Sequence, residues 1–298
     1  MDGKLLLQEI RGHPIDLVPG KTVISINPGE WTSPFEGKGF EPRGYRDFAL
    51  GDNPRLIHLP TSARRGVPTV VERVALRDFK VMVVIDLTAS MSLRGKMLTQ
   101  HEAAATLLYA AWQAETTFGL AVRGQDGMRS FGLGIGSRHF HRSFRTLWNL
   151  CSDDQASAPR GSAIHLRRCL PPNAMLLYCS DFLDDDGGIS GVSDLLYAVG
   201  RYDFVPVVIQ DALEYSFPRL RHASLMPFRN PETGSCADLW VSPRSAETIA
   251  KQHEARFSEL RGMFARHDIR HLHIRKPGVD ESRVAIDSFF RHRRRLSS

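Results

Sequence analysis

Residues 81–86 read VMVVID, an unbroken apolar run that closes on an aspartate, and LTASMSL follows with hydroxyls at positions 88 and 90. An apolar run without polar alternation belongs to a strand covered on both faces, the situation of a parallel sheet flanked by helices. Residues 96–115, KMLTQHEAAATLLYAAWQAE, then carry apolar side chains at helical spacing over about five turns. A doubly covered strand leading into a helix restricts this part of the chain to an α/β architecture.

The same alternation continues. TTFGLAVRG and GMRSFGLG flank GQDG, a hairpin signal, and SRHFHRSFRTLWNLC reads as a helix. A polar loop, a short helix after Gly161, the strand AMLLYCSDF, the helix VSDLLYAVGRY and the strand FVPVVI come next. After a long irregular segment and the apolar run ADLWVS, the helix SAETIAKQHEARFSELRGMFARH, the strand RHLHIR and a last helix complete the chain. Repeated strand-helix units predict a doubly wound, mostly parallel α/β sheet over residues 79–298. Residues 1–78 are rich in Gly, Pro and Arg, with short apolar runs such as KTVISI and PTVVERVAL, and predict a separate N-terminal β-rich layer.

Composition excludes several classes. At 298 residues the chain can bury a sizeable core, and 42% hydrophobic with 24% charged residues is the balance of a globular protein. No run of about 18 apolar residues exists to predict a membrane span. MDGKLLLQEIRGHPIDL lacks the apolar core of a secretory signal, so a cytoplasmic location is expected. Cys151, Cys169, Cys179 and Cys236 form no CxxC pair, which argues against a zinc ribbon or a thioredoxin-like site and for reduced thiols. The net charge of +6 includes a C-terminal run, Arg291, His292, Arg293, Arg294 and Arg295. With no aromatic-and-basic RNA signature or helix-turn-helix pattern beside it, the run reads as a solvated helix end, and no nucleic-acid partner is expected.

In an open parallel sheet, ligands bind outside the carboxyl ends of the strands. Two strands end there in acidic, hydroxyl-bearing loops, at Asp86 with Thr88 and Ser90 and at Ser180 with Asp181, while PRGSAIHL offers Ser162 before a helix. Such hard oxygen donors are what Mg²⁺ selects, an ion that keeps several waters and takes only one or two carboxylates. Helix capping would explain Thr88, Ser90 or Ser162 singly. It would not explain why three hydroxyls and two strand-end aspartates gather on one sheet edge.

Asp86-x-Thr88-x-Ser90 resembles the Asp-x-Ser-x-Ser signature of von Willebrand factor A domains, with Thr88 in place of the first serine. That resemblance implies a metal-ion-dependent adhesion site completed by Ser162, standing where a threonine is usual, and by Asp181. GKGFE at 37–41 and YRDFALGDNPRLIHLPTSAR at 45–64 are similar to the motif of the bacterial family called domain of unknown function 58, at Gly37, Gly39, Glu41, Arg46, Gly51, Asp52, Arg55, Ile57, Ser62, Ala63 and Arg64. His58-Leu59 replaces the Asp-Trp common there. Physically, Gly51-Asp52 is a turn signal, and Arg46, Arg55 and Arg64 would bridge acidic groups of the second domain or hold a carboxylate.

The resemblance implies a von Willebrand A-like domain and a non-enzymatic, metal-dependent protein-binding factor, with Mg²⁺ expected and Ca²⁺ or Mn²⁺ as alternatives. It also implies a MoxR-type AAA+ ATPase as partner, in the maturation or activation of a client bound through an acidic side chain. Soluble members from methanol-oxidation gene clusters make methanol dehydrogenase the implied client. The competing reading is a metal-dependent phosphohydrolase with Asp86 as nucleophile, although the second aspartate of haloacid dehalogenase-type enzymes is Thr88 here. GLGIG at 132–136 lacks nucleotide-loop spacing, His271 and His273 read as an exposed strand face, and Asp184, Asp185 and Asp186 read as a solvated loop.

Overall fold

The computed structural model describes residues 3–10, 15–19, 42–48, 57–73, 80–92, 95–124, 127–152, 170–171, 174–182, 198–215, 217–229 and 235–297. The chain divides into two compact units, Met1–Thr22 with Phe79–Ser298 and, separately, Val23–Asp78. The sequence pattern groups residues 1–22 with the N-terminal layer. They instead join the larger unit, because helix α1 (Gly3–Ile10) buries Leu6 and Ile10, and Ile15 and Leu17 follow into the same core.

In the smaller unit, β1 (Pro42–Asp47) pairs antiparallel with β2 (Thr69–Arg73), and α2 (Leu59–Arg65) lies between them in sequence. His58, where the resembled family commonly has Asp, caps α2: its Nδ1 accepts from the Thr61 N–H at 3.3 Å. Gly66 ends the helix with φ at 69°, a left-handed conformation that suits glycine. Ser62 ties helix to strand, accepting from the Thr69 N–H at 2.9 Å while donating to the His58 carbonyl at 3.0 Å. Ser62 thus ties α2 to β2, and Arg64 is exposed.

The larger unit is built on a six-stranded sheet. Its strands are β3 (Lys80–Asp86), β4 (Thr117–Gly124), β5 (Gly127–Gly134), β6 (Met175–Ser180), β7 (Asp203–Ile209) and β10 (Leu272–Ile274), in the spatial order β10-β7-β6-β3-β4-β5. Every pairing is parallel except β4 with β5, the expected hairpin. The mixed α/β architecture with a mostly parallel sheet thus agrees with the sequence pattern. From β3 the chain runs outward through β4 and β5, then returns to the other side of β3 for β6, β7 and β10. The order reverses between β3 and β6.

Val81, Val83 and Ile85 face one apolar layer, packed with α3 (Lys96–Gln113), α4 (Gly136–Ser152) and the C-terminal helix α7 (Val279–Ser297). Met82 and Val84 face the opposite layer, with Leu260, Met263 and Phe264 of α6 (Pro243–Arg266). This alternation is why both faces of β3 had to be apolar. Helix α3 is buried around most of its circumference from Thr99 to Ala111, which its run of alanines permits by keeping the helix surface narrow. A single-turn helix, α5 (Ala212–Tyr215), follows β7, and a Ser242–Ser245 capping box starts α6.

Two segments depart from expectation. Part of the region read as irregular is β8 (Ser224–Arg229), paired antiparallel with β9 (Cys236–Val241) as a separate two-stranded sheet. The C-terminal basic run is not simply solvated. Arg293 is buried against Asp203, Arg294 pairs with Asp16 at 2.6 Å, and Arg291 pairs with Asp287 at 2.9 Å. No helix among the described residues is long and apolar enough to cross a membrane.

Candidate functional site

Asp86 ends β3 and Asp181 follows β6, so the two carboxylates stand at the carboxyl ends of adjacent strands where the strand order reverses. That crevice is the binding position general to open α/β sheets. Both residues are almost fully buried.

Asp86 is held through side chain and backbone alike. Its Oδ1 accepts from the Thr88 N–H at 2.9 Å, and its Oδ2 accepts from Ser180 Oγ at 2.7 Å and from Arg123 Nη1 at 3.4 Å. Gln100 of α3 grips the Asp86 backbone, its Oε1 accepting from the N–H at 3.0 Å and its Nε2 donating to the carbonyl at 2.8 Å. Burial raises the Asp86 carboxyl above its ordinary pKa, opposed by Arg123, Ser180 and the Thr88 N–H, while the nearby Asp181 charge raises it further.

A short chain of hydroxyls joins the aspartates. Thr88 Oγ1 lies 3.3 Å from Ser90 Oγ, and Ser90 Oγ donates to Asp181 Oδ1 at 3.2 Å. The hydroxyls face inward because the chain leaves β3 through a 3-10 turn (Ala89–Ser92), anchored by buried Met91. Asp86, Thr88, Ser90 and Asp181 of the sequence-derived set therefore meet at one edge. Ser162, Gly37, Gly39, Glu41, Gly51, Asp52, Arg55 and the acidic run 184–186 lie outside the described residues. Arg46 is in β1, and its side chain is likewise outside the description.

Sequence reasoning missed the site's buried cation. Lys96 Nζ donates to Asp181 Oδ2 and to Glu214 Oε1, each at 2.7 Å, and its side chain is 1% exposed. Burial alone would lower the lysine pKa, but the two carboxylates outweigh it and hold the ammonium above its usual value. One local signal existed: Lys96 opens α3, where the helix dipole disfavours a cation. Glu214, in α5, is fixed in turn by the Asp211 N–H, 3.1 Å from its Oε2. Ser180 was legible only as Asp181's neighbour, yet its hydroxyl orients Asp86 and accepts from the Phe182 N–H at 2.8 Å. Phe182 takes φ of 56°, uncommon for a bulky residue, so the backbone bends sharply just past Asp181.

The oxygens of Asp86, Thr88, Ser90 and Asp181 form the all-oxygen donor set that a hard divalent cation takes. Among the described residues no group of three or more His, Cys, Asp or Glu side chains is arranged to hold a metal. A cation here would be held lightly, by two carboxylates and hydroxyls, as suits an ion that retains water. The residues fit such an ion, with one constraint built into the site: Lys96 already neutralises one oxygen of Asp181.

Beside this edge, a cavity of about 950 Å³ opens between residues 210–220 and α6, lined by Glu214, Gln210, Phe217, Phe257 and Arg275 among others. His271 and His273 do not form the exposed face expected of them. Their rings lie against Phe264 and Phe257 of α6, with centroids 5.1 and 4.6 Å apart, and His273 Nε2 is 2.8 Å from Gln210 Oε1.

The family model described as "Protein of unknown function DUF58" matches residues 44–257, well over half of the chain. Similar proteins include the uncharacterized protein Rv1480 of Mycobacterium tuberculosis (strain ATCC 25618 / H37Rv) and the uncharacterized protein Mb1516 of Mycobacterium bovis (strain ATCC BAA-935 / AF2122/97). Each is 21% identical over 257 residues, covering 83% of this chain and 78% of the relative. Among solved structures, the open conformation of the pilus adhesin SpaC from Lactobacillus rhamnosus GG aligns at 12% identity and a TM-score of 0.34, over 72% of this chain and 30% of the adhesin. The family match joins the motif-bearing N-terminal segment to the sheet that carries Asp86 and Asp181, and the chain belongs to the DUF58 family.

Proposed function

We propose that this chain is a non-enzymatic, metal-dependent protein-binding factor with a von Willebrand factor A-like sheet. It works in the cytoplasm with a MoxR-type AAA+ ATPase to mature or activate a client enzyme, with methanol dehydrogenase as the candidate client. The observation that carries the reading is the line from Asp86 through Thr88 and Ser90 to Asp181 across the ends of two adjacent strands. Asp86 and Asp181 supply charge and the hydroxyls supply neutral donors, with Ser162 proposed to complete the set. A bound Mg²⁺, or Ca²⁺ or Mn²⁺, would offer an open coordination position to a partner's carboxylate. Ser180 and Gln100 keep Asp86 in place, and the adjoining cavity leaves room for a partner segment.

The phosphohydrolase reading is less well supported. Lys96, the buried cation of the site, is bonded to Asp181 and Glu214, and the position two residues after Asp86, where haloacid dehalogenase-type enzymes want a second aspartate, is Thr88. Calorimetric titration with Mg²⁺ and co-purification with the MoxR-type ATPase of the same genome test the proposal. Asp86→Ala, with its fold checked by circular dichroism, is expected to lose both interactions. Undiminished binding by the variant would refute it, and metal-dependent phosphoester turnover abolished by Asp86→Asn would favour the hydrolase instead.

A further inference from the structure

We propose that Lys96 is a built-in counter-cation that stands in for a divalent ion at Asp181 and thereby sets the affinity of the edge for such ions. The inference rests on the metal-binding reading and concerns a residue that reading does not use.

Charge governs this corner of the sheet. Asp181 follows β6 and Glu214 sits in α5, after β7, and Lys96 spans them, 2.7 Å from each. Buried carboxylates need a counter-charge, and a lysine whose side chain is 1% exposed has no comparable partner in water. The ammonium takes Asp181 Oδ2, and this turns Asp181 Oδ1 toward Ser90 and the hydroxyl line. Lys96 consequently does two opposed things. It positions the carboxylate for an incoming cation, and it repels that cation by its own charge at close range. Asp86 has its own cationic neighbour in Arg123, but at 3.4 Å and with a side chain 26% exposed, so water screens it far more. Among the described residues, Lys96 is therefore the cation that faces Asp181 most directly. Without its charge, a divalent ion becomes the group available to neutralise the Asp181 and Glu214 carboxylates together.

The test compares the full chain with Lys96→Met, which keeps most of the side-chain volume, in EDTA and in Mg²⁺, reading Mg²⁺ affinity by calorimetry and melting temperature by circular dichroism. Lys96→Met is expected to bind Mg²⁺ about tenfold or more tightly than the parent and to show a larger Mg²⁺-induced rise in melting temperature. Folding of the variant only when Mg²⁺ is present would be the same result in stronger form. A folded variant with equal or weaker Mg²⁺ affinity overturns the proposal, and if the parent still binds in an Asp86-dependent way the metal-site reading survives alone. No binding by either protein defeats both. Should Lys96→Met fold in neither condition, Glu214→Gln decides: it keeps Lys96 but removes one negative charge, and is expected to weaken Mg²⁺ binding several-fold. Unchanged or tighter binding by Glu214→Gln overturns the proposal.

Discussion

Lys96 Nζ lies 2.7 Å from Asp181 Oδ2, and both side chains are 1% exposed. The contact joins the first residue of α3 to the residue that follows β6, so charge ties the helix entrance to the sheet edge in addition to the apolar packing of α3 on the sheet. A cation at a helix N-terminus opposes the helix dipole, and here two carboxylates offset that cost.

Gln100 satisfies both backbone groups of buried Asp86. Gln100→Leu keeps the apolar stem and leaves an N–H and a carbonyl to find other partners. Unpaired buried groups cost about 1–3 kcal/mol each, so a destabilisation of about 2–6 kcal/mol is expected in urea unfolding.

Ser180 donates to Asp86 Oδ2 and accepts from the Phe182 N–H, and it is fully buried. Ser180→Ala should cost about 2 kcal/mol of stability, the scale of a hydrogen bond to a charged group. Loss of an orienting partner should also weaken Mg²⁺ binding by about tenfold, measured by calorimetry on the folded variant.

Arg293 and Asp203 form an ion pair with side chains 8% and 5% exposed. Removing the arginine deprives the buried Asp203 carboxylate of this counter-charge. Arg293→Met is therefore expected to lower the unfolding free energy by about 3–5 kcal/mol, whereas Arg291→Met, at a side chain 74% exposed, should change it by less than about 1 kcal/mol. Equal effects in chemical denaturation would count against a structural role for the buried arginine.

His273 has its pKa lowered to about 3 by burial first, and then by the charges of Arg275, His271 and Arg261. The folded protein keeps the ring neutral while the unfolded chain takes up a proton below about pH 6.5. Its contribution to stability is thus complete above that pH and is lost progressively as the pH falls toward 3. The fall in urea midpoint between about pH 7 and pH 5 should be shallower in His273→Gln, and the parent's His273 ring resonances should not titrate in that interval.

The strands were legible because their signal is local. VMVVID, AMLLYCS and FVPVVI are apolar without alternation, and each is a buried strand of the parallel sheet. β8 is harder to read because SLMPFR is a short run in which Ser224, Pro227 and Arg229 interrupt Leu225, Met226 and Phe228, a mixture that an edge strand tolerates. A two-stranded sheet consists of edges, and β8 is found there. The placement of α1 is hidden for a different reason, because GKLLLQEI announces an apolar face and says nothing of which core receives it.

By itself the sequence determined an α/β sheet, the positions at which its central strands end, and the Asp86-Thr88-Ser90 spacing that puts a carboxylate and two hydroxyls on one turn. Tertiary structure alone decided that Asp181 would be shared between Ser90 and Lys96, that Glu214, 118 residues from Lys96, would complete the ion triad, and that Ser180 and Gln100 would lock Asp86. Periodicity records which residues avoid water. It does not record which buried charges meet, because that depends on strand order and loop closure across the whole sheet.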